Sequence, residues 1–227
     1  MIKYFPELIQ GGDEWLAARC GLLTASEMKL IISPEKLEPS DNDKTRAHVW
    51  ELLAQRITRY VEPKYVGSDM LRGQADEVEA RLLYDKHYAR VTDVGFVTND
   101  KWGFTIGYSP DALVSDDGLI ECKSRDQKLQ VQRIAELAVD PLHIIQVQTG
   151  LLVSERKWCD YISYSGGLPM LTLRVLPDFK MQEAIVRAAT AFEERLAEKW
   201  AAYRLSMASS ARLLPTERRI EQEMYLS

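Results

Sequence analysis

Apolar residues recur at the three- and four-residue spacing of an amphipathic helix in four stretches of the chain. This spacing predicts helices over residues 45–60, 69–88, 141–154 and 178–207. Pro141 suits the first turn of the third helix, where its missing N–H removes no hydrogen bond. A weaker helical pattern follows a polar start in residues 124–139.

Two shorter helices are predicted near the N-terminus. Asp13 is a good N-cap for a helix that ends near Gly21. Thr24 and Glu27 have the spacing of a capping box, and the apolar residues over 28–32 would form the helix that follows it.

Alternation of apolar and polar residues predicts strands over residues 91–97, 102–106, 157–164 and 170–176. Gly166 and Gly167 provide a hairpin turn between the last two strands. The order along the chain is therefore helices, a mixed sheet, a helix, two strands and a final helix. No internal repeat or linker is visible, so the sequence predicts a single domain over residues 1–227.

Residues 107–123 predict a β-hairpin whose turn is formed by the Asp and Gly residues at 116–118. Side chains two apart on a strand share a face, so Glu121 and Lys123 point the same way. The short turn brings Asp111 close to Glu121 on the neighbouring strand. A shift of one residue in the register would instead send Asp111 to the wrong face.

Burying two carboxylates and one ammonium group is costly unless a further partner compensates their charge. Mg²⁺ would be such a partner, because it takes oxygen ligands, commonly one or two carboxylates with waters and substrate phosphates. The backbone carbonyl of Cys122 would be a further oxygen ligand, and Lys123 would orient and acidify an attacking water. The alternative is a surface hairpin with a solvated Glu121–Lys123 ion pair, since so short a pattern also occurs by chance.

A candidate anion site lies near the N-terminus. The start of the helix expected after Thr24 would display unpaired N–H groups that suit a phosphate, and Arg19 could reach the same anion. Alternatively, Ser26 only assists the cap and Arg19 is a solvated charge.

Two helices carry further polar candidates. Glu77 could lean from its helix toward a neighbouring sheet, although a solvated glutamate is the usual outcome at such a position. Gln146 and Gln148 diverge by about 200° around a helix, so only one of them can easily face a given site.

Composition narrows the functional classes. The chain is 46% apolar and 28% charged, which fits a globular protein with a substantial core. Its net charge of −5 argues against a simple basic DNA binder, so contacts to nucleic acid would need clustered Lys and Arg. Three scattered cysteines and the lack of a long apolar run favour a reducing cytosol without a membrane span. Serine-triad, Walker and Rossmann motifs are absent.

Five short pieces occur in one order along the chain. They are Leu-Thr-Ala-Ser-Glu (23–27), Gly-Gln-Ala-Asp-Glu-Val-Glu-Ala-Arg (73–81), Tyr-Ser-Pro-Asp-Ala-Leu (108–113), Ile-Glu-Cys-Lys (120–123) and Gln-Val-Gln (146–148). Each piece is weak alone, but the ordered set resembles the YqaJ-type, lambda exonuclease-like viral recombinase family. The resemblance implies an α/β (α+β) fold with a restriction-endonuclease-like PD-(D/E)xK core, a mixed sheet flanked by helices.

The resemblance also implies residue roles. Asp111, Glu121 and the Cys122 carbonyl would hold the metal, and Lys123 would position or activate the water. Glu77 would bind a metal-linked water. A 5′-phosphate pocket would consist of Arg19, Ser26 and Ser109, while Gln146 would line the active site and Gln148 is less certain. The cysteine between Glu121 and Lys123 departs from the aliphatic residue common in the family, but a carbonyl ligand does not depend on that side chain.

The implied activity is Mg²⁺-dependent 5′→3′ digestion of one strand of linear double-stranded DNA, leaving a 3′ overhang. Two Mg²⁺ ions, with Mn²⁺ as a substitute, would serve the attacking and leaving oxygens. A homotrimeric ring, a single-strand annealing protein as partner and a phage or prophage origin in the bacterial cytoplasm are implied as well. Two alternatives stay open: a site-specific or structure-specific endonuclease on the same core, and a non-catalytic DNA-binding assembly module.

Overall fold

The computed structural model describes residues 1–63 and 67–218. Its helices are α1 (Asp13–Arg19), α2 (Asp43–Thr58), α3 (Ser68–His87), α4 (Gln127–Glu136), α5 (Pro141–Ser154) and α6 (Phe179–Met207). Its strands are β1 (Ile2–Phe5), β2 (Leu23–Thr24), β3 (Ile32–Ser33), β4 (Glu38–Pro39), β5 (Val91–Thr92), β6 (Phe96–Asn99), β7 (Ile106–Tyr108), β8 (Ala112–Val114), β9 (Gly118–Ser124), β10 (Trp158–Tyr164) and β11 (Leu171–Val175).

The strands form two main sheets and one short ribbon. The first sheet has the order β1-β6-β7-β2, and the second has the order β11-β10-β9-β8-β5. Both are mixed, because β2 pairs parallel with β7 and β9 pairs parallel with β10, while the other pairs are antiparallel. The predicted mixed α/β architecture with flanking helices is therefore confirmed.

Helices cover the second sheet on both faces. Helix α3 packs against β9 and β10 from one side, where Ile120 and Cys122 join Ala80 and Tyr84 in an apolar cluster. Helix α5 packs from the other side against β10, and it also contacts β6 and β7 of the first sheet and helix α6. The larger apolar cluster lies on this side. Helix α5 thereby ties the two sheets together.

The long helices and the last two strands were predicted to within a few residues. Asp178 caps α6, and its side chain accepts from the backbone N–H of Met181 at 3.0 Å. Asp140 caps α5 in the same manner, by accepting from Leu142, and Pro141 occupies the first turn. In the described part of the chain, no helix is both long and apolar enough to cross a membrane.

Three local predictions were wrong. Residues 28–32 form only a 3₁₀ turn, Met28–Leu30, followed by β3, because Ile32 and Ser33 pair with β4 and the chain turns extended there. Helix α1 is capped by Gly12 rather than Asp13. The strand predicted over 102–106 starts only at Ile106, as β7, because Gly103 takes a left-handed conformation with φ of 83° in a turn. Strand β1 was not predicted.

The hairpin of residues 107–123 was predicted correctly, but Gly118 does not form its turn. Ser115 takes the left-handed backbone conformation, with φ of 49°. Gly118 already belongs to β9, where a Cβ atom would come within 2.1 Å of the Trp158 ring. Gly118 is therefore required for close packing of β9 against β10 and not for the turn.

Candidate active site

The candidate site forms where the chain crosses from one sheet to the other. Strand β7 of the first sheet ends at Tyr108, and β8 of the second begins at Ala112. The three residues between them, Ser109, Pro110 and Asp111, make the crossing. In the β8–β9 hairpin Ala112 pairs with Ile120, so Asp111 comes beside Glu121. The register that the sequence left open therefore puts both carboxylates on one side.

Glu121 is 1% exposed and receives three hydrogen bonds. The Tyr108 hydroxyl donates to Oε2 at 2.8 Å, and the Lys123 ammonium donates to Oε1 at 2.6 Å. The side-chain amide of Gln146 also donates to Oε1. A carboxylate can accept about four such bonds, so this anion is held rigidly and keeps one site free at Oε2.

The Tyr108 ring, whose hydroxyl donates to Glu121, is held in place by an unusually close approach of helix α5. A Cβ atom on Gly150 of α5 would come within 2.6 Å of the ring. Tyr108 is itself 1% exposed, and burial together with the Glu121 charge raises its pKa well above the ordinary value. Tyr108 is therefore a firm proton donor to Glu121.

Asp111 carries a strongly perturbed carboxyl group. Its Oδ2 accepts from the backbone N–H of Cys122 at 2.5 Å. Burial, and then the neighbouring Glu121 charge, raise the pKa of Asp111 well above its ordinary value, while Lys123 offsets part of this rise. Two carboxylates this close repel each other strongly where water is scarce.

Lys123 balances part of this negative charge. Burial alone would lower its pKa, but the attraction of Glu121 and Asp111 outweighs burial and raises the pKa above the ordinary lysine value. The side chain is therefore an ammonium ion that donates to Glu121. The predicted division of faces is confirmed as well, because Cys122 packs toward α3 while Glu121 and Lys123 face α5.

Glu77 leans toward the same site from α3. Burial raises its pKa, Lys123 lowers it, and Glu121 raises it again, so the three side chains sense one another's charge. Glu77 and Asp111 line a cleft of about 380 Å³ that is walled by α3 and the segment after β1. Glu77 and Asp111 are thus reachable from solvent through this cleft.

The oxygen-rich chemistry of the site fits a hard divalent cation. No three His, Cys, Asp or Glu side chains gather into a preformed metal cage within residues 1–63 and 67–218. Two carboxylates do converge, however, and burial together with the neighbouring Glu121 charge raises the pKa of Asp111. Mg²⁺ is commonly held by one or two carboxylates plus waters and phosphate oxygens, so the residues present fit such an ion.

The two glutamines of α5 face opposite directions, as the helical geometry required. Gln146 donates to Glu121 in the site. Gln148 donates to the Leu176 carbonyl at 2.8 Å, and its oxygen accepts from the Asp178 N–H at 2.8 Å. Gln148 therefore fastens α5 to the start of α6 and stays outside the site.

The predicted phosphate residues also come together. The Arg19 guanidinium donates to Ser109 Oγ at 3.1 Å and to Thr24 Oγ1 at 3.3 Å. Ser26 Oγ lies 3.3 Å from Thr24 Oγ1. The indole of Trp15 donates to Ser109 at 2.9 Å, and the Arg19 guanidinium stacks on the Trp15 ring at 4.2 Å. We call this group of five residues the Arg19 pocket.

The Arg19 pocket has the electrostatics of an anion site. Burial lowers the pKa of Arg19, although the group stays charged, and Glu27 partly offsets the decrease. No carboxylate of the described residues forms a salt bridge with Arg19. Ser109 already accepts from both Trp15 and Arg19, which leaves its own proton available for a ligand.

The expected helix N-terminus is not part of the pocket, because only a 3₁₀ turn follows Ser26. Tyr108, Thr24 and Trp15 are the site residues that the sequence reasoning missed. Thr24 was assigned only to a cap, and Trp15 lies one helical turn before Arg19, a spacing that could have suggested the stacking. Tyr108 gave no local signal.

Comparisons with known proteins identify a family and solved structures of similar fold. A family model of the YqaJ-like viral recombinase domain matches residues 14–157. The chain is 29% identical to an alkaline exonuclease from Laribacter hongkongensis, with a TM-score of 0.78 over 88% of this chain and 100% of that one. A structure of that exonuclease in complex with dAMP gives the same values.

A more distant structure is similar in fold alone. It is a phage related exonuclease from Haemophilus somnus, with 16% identity and a TM-score of 0.59 over 83% of this chain and 96% of that one. No curated protein matches the chain significantly.

Proposed function

The chain belongs to the YqaJ-like viral recombinase domain family, and from this premise we propose that it is a 5′→3′ exonuclease on linear double-stranded DNA. It would need Mg²⁺, digest one strand and leave a 3′ overhang. The alkaline exonuclease neighbours support the nuclease class. One structural observation carries the finer proposal: the Arg19 pocket and the carboxylate pair share a single short segment.

That segment sets the distance between the two sites. Ser109 belongs to the Arg19 pocket and Asp111 to the carboxylate pair, with only Pro110 between them. Two residues of chain span at most about 7 Å. A terminal phosphate held beside Ser109 would thus place the next phosphodiester of the same strand near Asp111. This geometry favours removal of one nucleotide at a time from a 5′-phosphorylated end.

The residues around the scissile phosphate would divide the work. Asp111 and Glu121 would hold Mg²⁺ together with the Cys122 carbonyl, and Glu77 would bind a water at the edge of the cleft. When bound, Mg²⁺ would neutralise phosphate charge and polarise the phosphodiester, and a second ion or Mn²⁺ would suit the same oxygens. Lys123 would orient the attacking water and stabilise the negative charge that develops. Gln146 would keep Glu121 in place.

Selection of the DNA strand that ends in a 5′-phosphate would depend on contacts to phosphate alone. The Arg19 pocket offers a guanidinium and a hydroxyl proton to a terminal phosphate, and such contacts position DNA without reading its sequence. The chain carries a net charge of −5, so overall attraction to DNA is weak. A homotrimeric ring around the duplex would compensate for this weakness. A single-strand annealing protein in the host cytoplasm would receive the exposed 3′ strand.

A time course on linear duplex tests the proposal. With Mg²⁺ the wild type should release mononucleotides from 5′-phosphorylated ends and leave closed circular DNA intact. Lys123→Ala should abolish release while DNA binding survives. Arg19→Ala should remove the preference for 5′-phosphorylated over 5′-hydroxyl ends, whereas Arg90→Ala, at an exposed arginine paired with Asp85, should keep it.

Each alternative function has its own outcome in this assay. Cutting of closed circles would indicate an endonuclease. Linear duplex that stays undigested with Mg²⁺ or Mn²⁺ would indicate a binding module. Full activity of Lys123→Ala would show that the carboxylate and lysine group is not the catalytic centre.

A further inference from the structure

Glu27 lies directly behind the Arg19 pocket. Its Oε2 accepts from the Thr24 hydroxyl at 2.7 Å and from the Thr24 N–H at 3.2 Å. The same hydroxyl oxygen accepts from Arg19 at 3.3 Å. A threonine hydroxyl has one proton, and here Glu27 takes it, so the lone pairs are directed toward Arg19. One hydroxyl thus links the carboxylate to the guanidinium.

Glu27 is therefore the counter-charge of Arg19 without touching it. The two charged groups are no more than about 6 Å apart, the combined length of the two hydrogen bonds. Burial lowers the pKa of Arg19, and Glu27 is the group that opposes this. A direct ion pair would occupy the guanidinium face, whereas the hydroxyl link leaves that face available to a ligand.

Helix α2 lies behind Glu27. The buried ring of His48 has its Nε2 3.9 Å from Glu27 Oε2, and its Nδ1 lies 3.0 Å from Glu51. The ring packs against Phe192 of α6, with 5.4 Å between the ring centroids. Glu27 is therefore held by its two hydrogen bonds from Thr24 and backed by a packed aromatic wall, which places its carboxylate beside the pocket.

A repeating exonuclease must release as well as bind. In each cycle a water oxygen bonds to phosphorus, the P–O3′ bond breaks, and O3′ leaves with a proton. The shortened strand keeps a 5′-phosphate, and the freed nucleotide still carries the phosphate that occupied the Arg19 pocket. That product must leave before the new end can enter, and an unopposed buried arginine would hold it tightly.

We propose that Glu27 sets the affinity of the Arg19 pocket for the 5′-phosphate, weakening it so that product leaves between cycles. This inference rests on the proposed function. Glu27 acts through Thr24 and by its charge, so it is a positioning and affinity-setting residue and touches neither DNA nor metal.

The test is Glu27→Gln, which removes the charge while its amide oxygen still accepts from Thr24. Binding is measured in EDTA on duplexes with 5′-phosphate and 5′-hydroxyl ends, and dAMP is used as a product inhibitor with Mg²⁺ present. The variant should bind phosphorylated ends and dAMP more tightly. About threefold or more is expected for removing a charge that lies roughly 6 Å behind the Arg19 guanidinium in a partly aqueous pocket. Hydroxyl ends should bind as in the wild type, and both kcat and KM should fall.

A merely structural role predicts the opposite sign, because a disturbed pocket binds phosphate more weakly. Glu38→Gln makes the same change in net charge at the exposed β4 strand and serves as the control. Unchanged or weaker binding of phosphorylated ends by Glu27→Gln would overturn the inference while leaving the exonuclease proposal intact. A wild type that binds both kinds of end equally would instead refute the Arg19 pocket itself.

Thermal unfolding checks that the variants fold. If Glu27→Gln does not fold, Glu27→Ala is measured in its place, and the same sign is expected because it removes the same charge. Weaker binding of phosphorylated ends by Glu27→Ala would then overturn the inference.

Discussion

Replacing Asp111 by asparagine should make the metal-free protein more stable and catalytically inactive at once. Asp111 is held beside the buried Glu121 carboxylate, and its pKa is raised well above the ordinary value by burial and by that neighbour. Asparagine has nearly the same shape and its oxygen can still accept from the Cys122 N–H. The substitution therefore removes the charge conflict and keeps the local geometry.

The size of the gain follows from the charges involved. Carboxylates on directly opposed residues are about 5 Å apart, and at an effective dielectric constant of about 20 they repel by about 3 kcal/mol. The substitution also removes the attraction between Asp111 and Lys123, and the Cys122 N–H then donates to a neutral oxygen instead of a charged one. These two losses offset part of the gain from relieving the repulsion. A net gain of about 1–2 kcal/mol remains, which corresponds to a rise of about 4 °C in Tm for a chain of this size.

The same reasoning fixes how stability depends on pH. The folded protein binds the Asp111 proton more tightly than the unfolded chain, because the folded pKa is the higher one. In chelator, wild-type stability should therefore fall as pH rises from about 4 toward the folded pKa. Glu77 contributes in the same direction. Asp111→Asn should show a flatter profile across this window.

Urea unfolding and thermal melts in EDTA, repeated with Mg²⁺, provide the measurement. Mg²⁺ should stabilise the wild type and have little effect on Asp111→Asn, since the variant lacks one of the two proposed carboxylate ligands. Alanine at the same position is a useful contrast, because it leaves the Cys122 N–H without its partner. An Asp111→Asn protein that is less stable than wild type in EDTA, or that still digests DNA, would refute the reasoning.

Three further predictions concern the surrounding structure. Gln146→Ala should lower kcat by roughly tenfold with little change in Tm, because only Gln146 contacts Glu121. Gln148→Ala should lower Tm by several degrees and leave kcat unchanged. The reverse pattern would contradict the assignment of the two helix faces. Tyr108→Phe should cost about 1–3 kcal/mol of unfolding free energy in urea, since Glu121 loses a donor at 2.8 Å; an unchanged midpoint would show that the bond contributes little. Asp160→Ala should cost about 3 kcal/mol of unfolding free energy, because it leaves the Tyr84 hydroxyl and the Arg174 guanidinium without their shared acceptor. Activity per folded molecule should be preserved.

The helices could be predicted from sequence because their apolar spacing is long and regular. Helix α6 runs for 29 residues, and a period sustained over that length leaves little ambiguity. The helix predicted over residues 28–32 failed for the opposite reason, since five residues are too few to establish a helical period. Strand β1 is short and lies at a sheet edge, where its structure depends on pairing with β6, a distant segment of the chain.

The site was predictable only to the extent that its residues are near in sequence. Asp111, Glu121 and Lys123 lie in one hairpin, so strand alternation and a short turn sufficed. The contact of Tyr108 with Glu121 depends on how α5 presses Gly150 against the ring, and Trp15 meets Ser109 from a segment 94 positions earlier in the chain. Such contacts between distant segments are set by tertiary packing, which no local pattern encodes.

Strand β9 carries Glu121 and Lys123 and lies in the middle of its sheet, between β10 and β8. Backbone amides in such a strand exchange with solvent mainly through global opening rather than local fraying. Heating should therefore leave Glu121 and Lys123 in position until the whole molecule melts, and thermal inactivation should track the cooperative transition instead of preceding it.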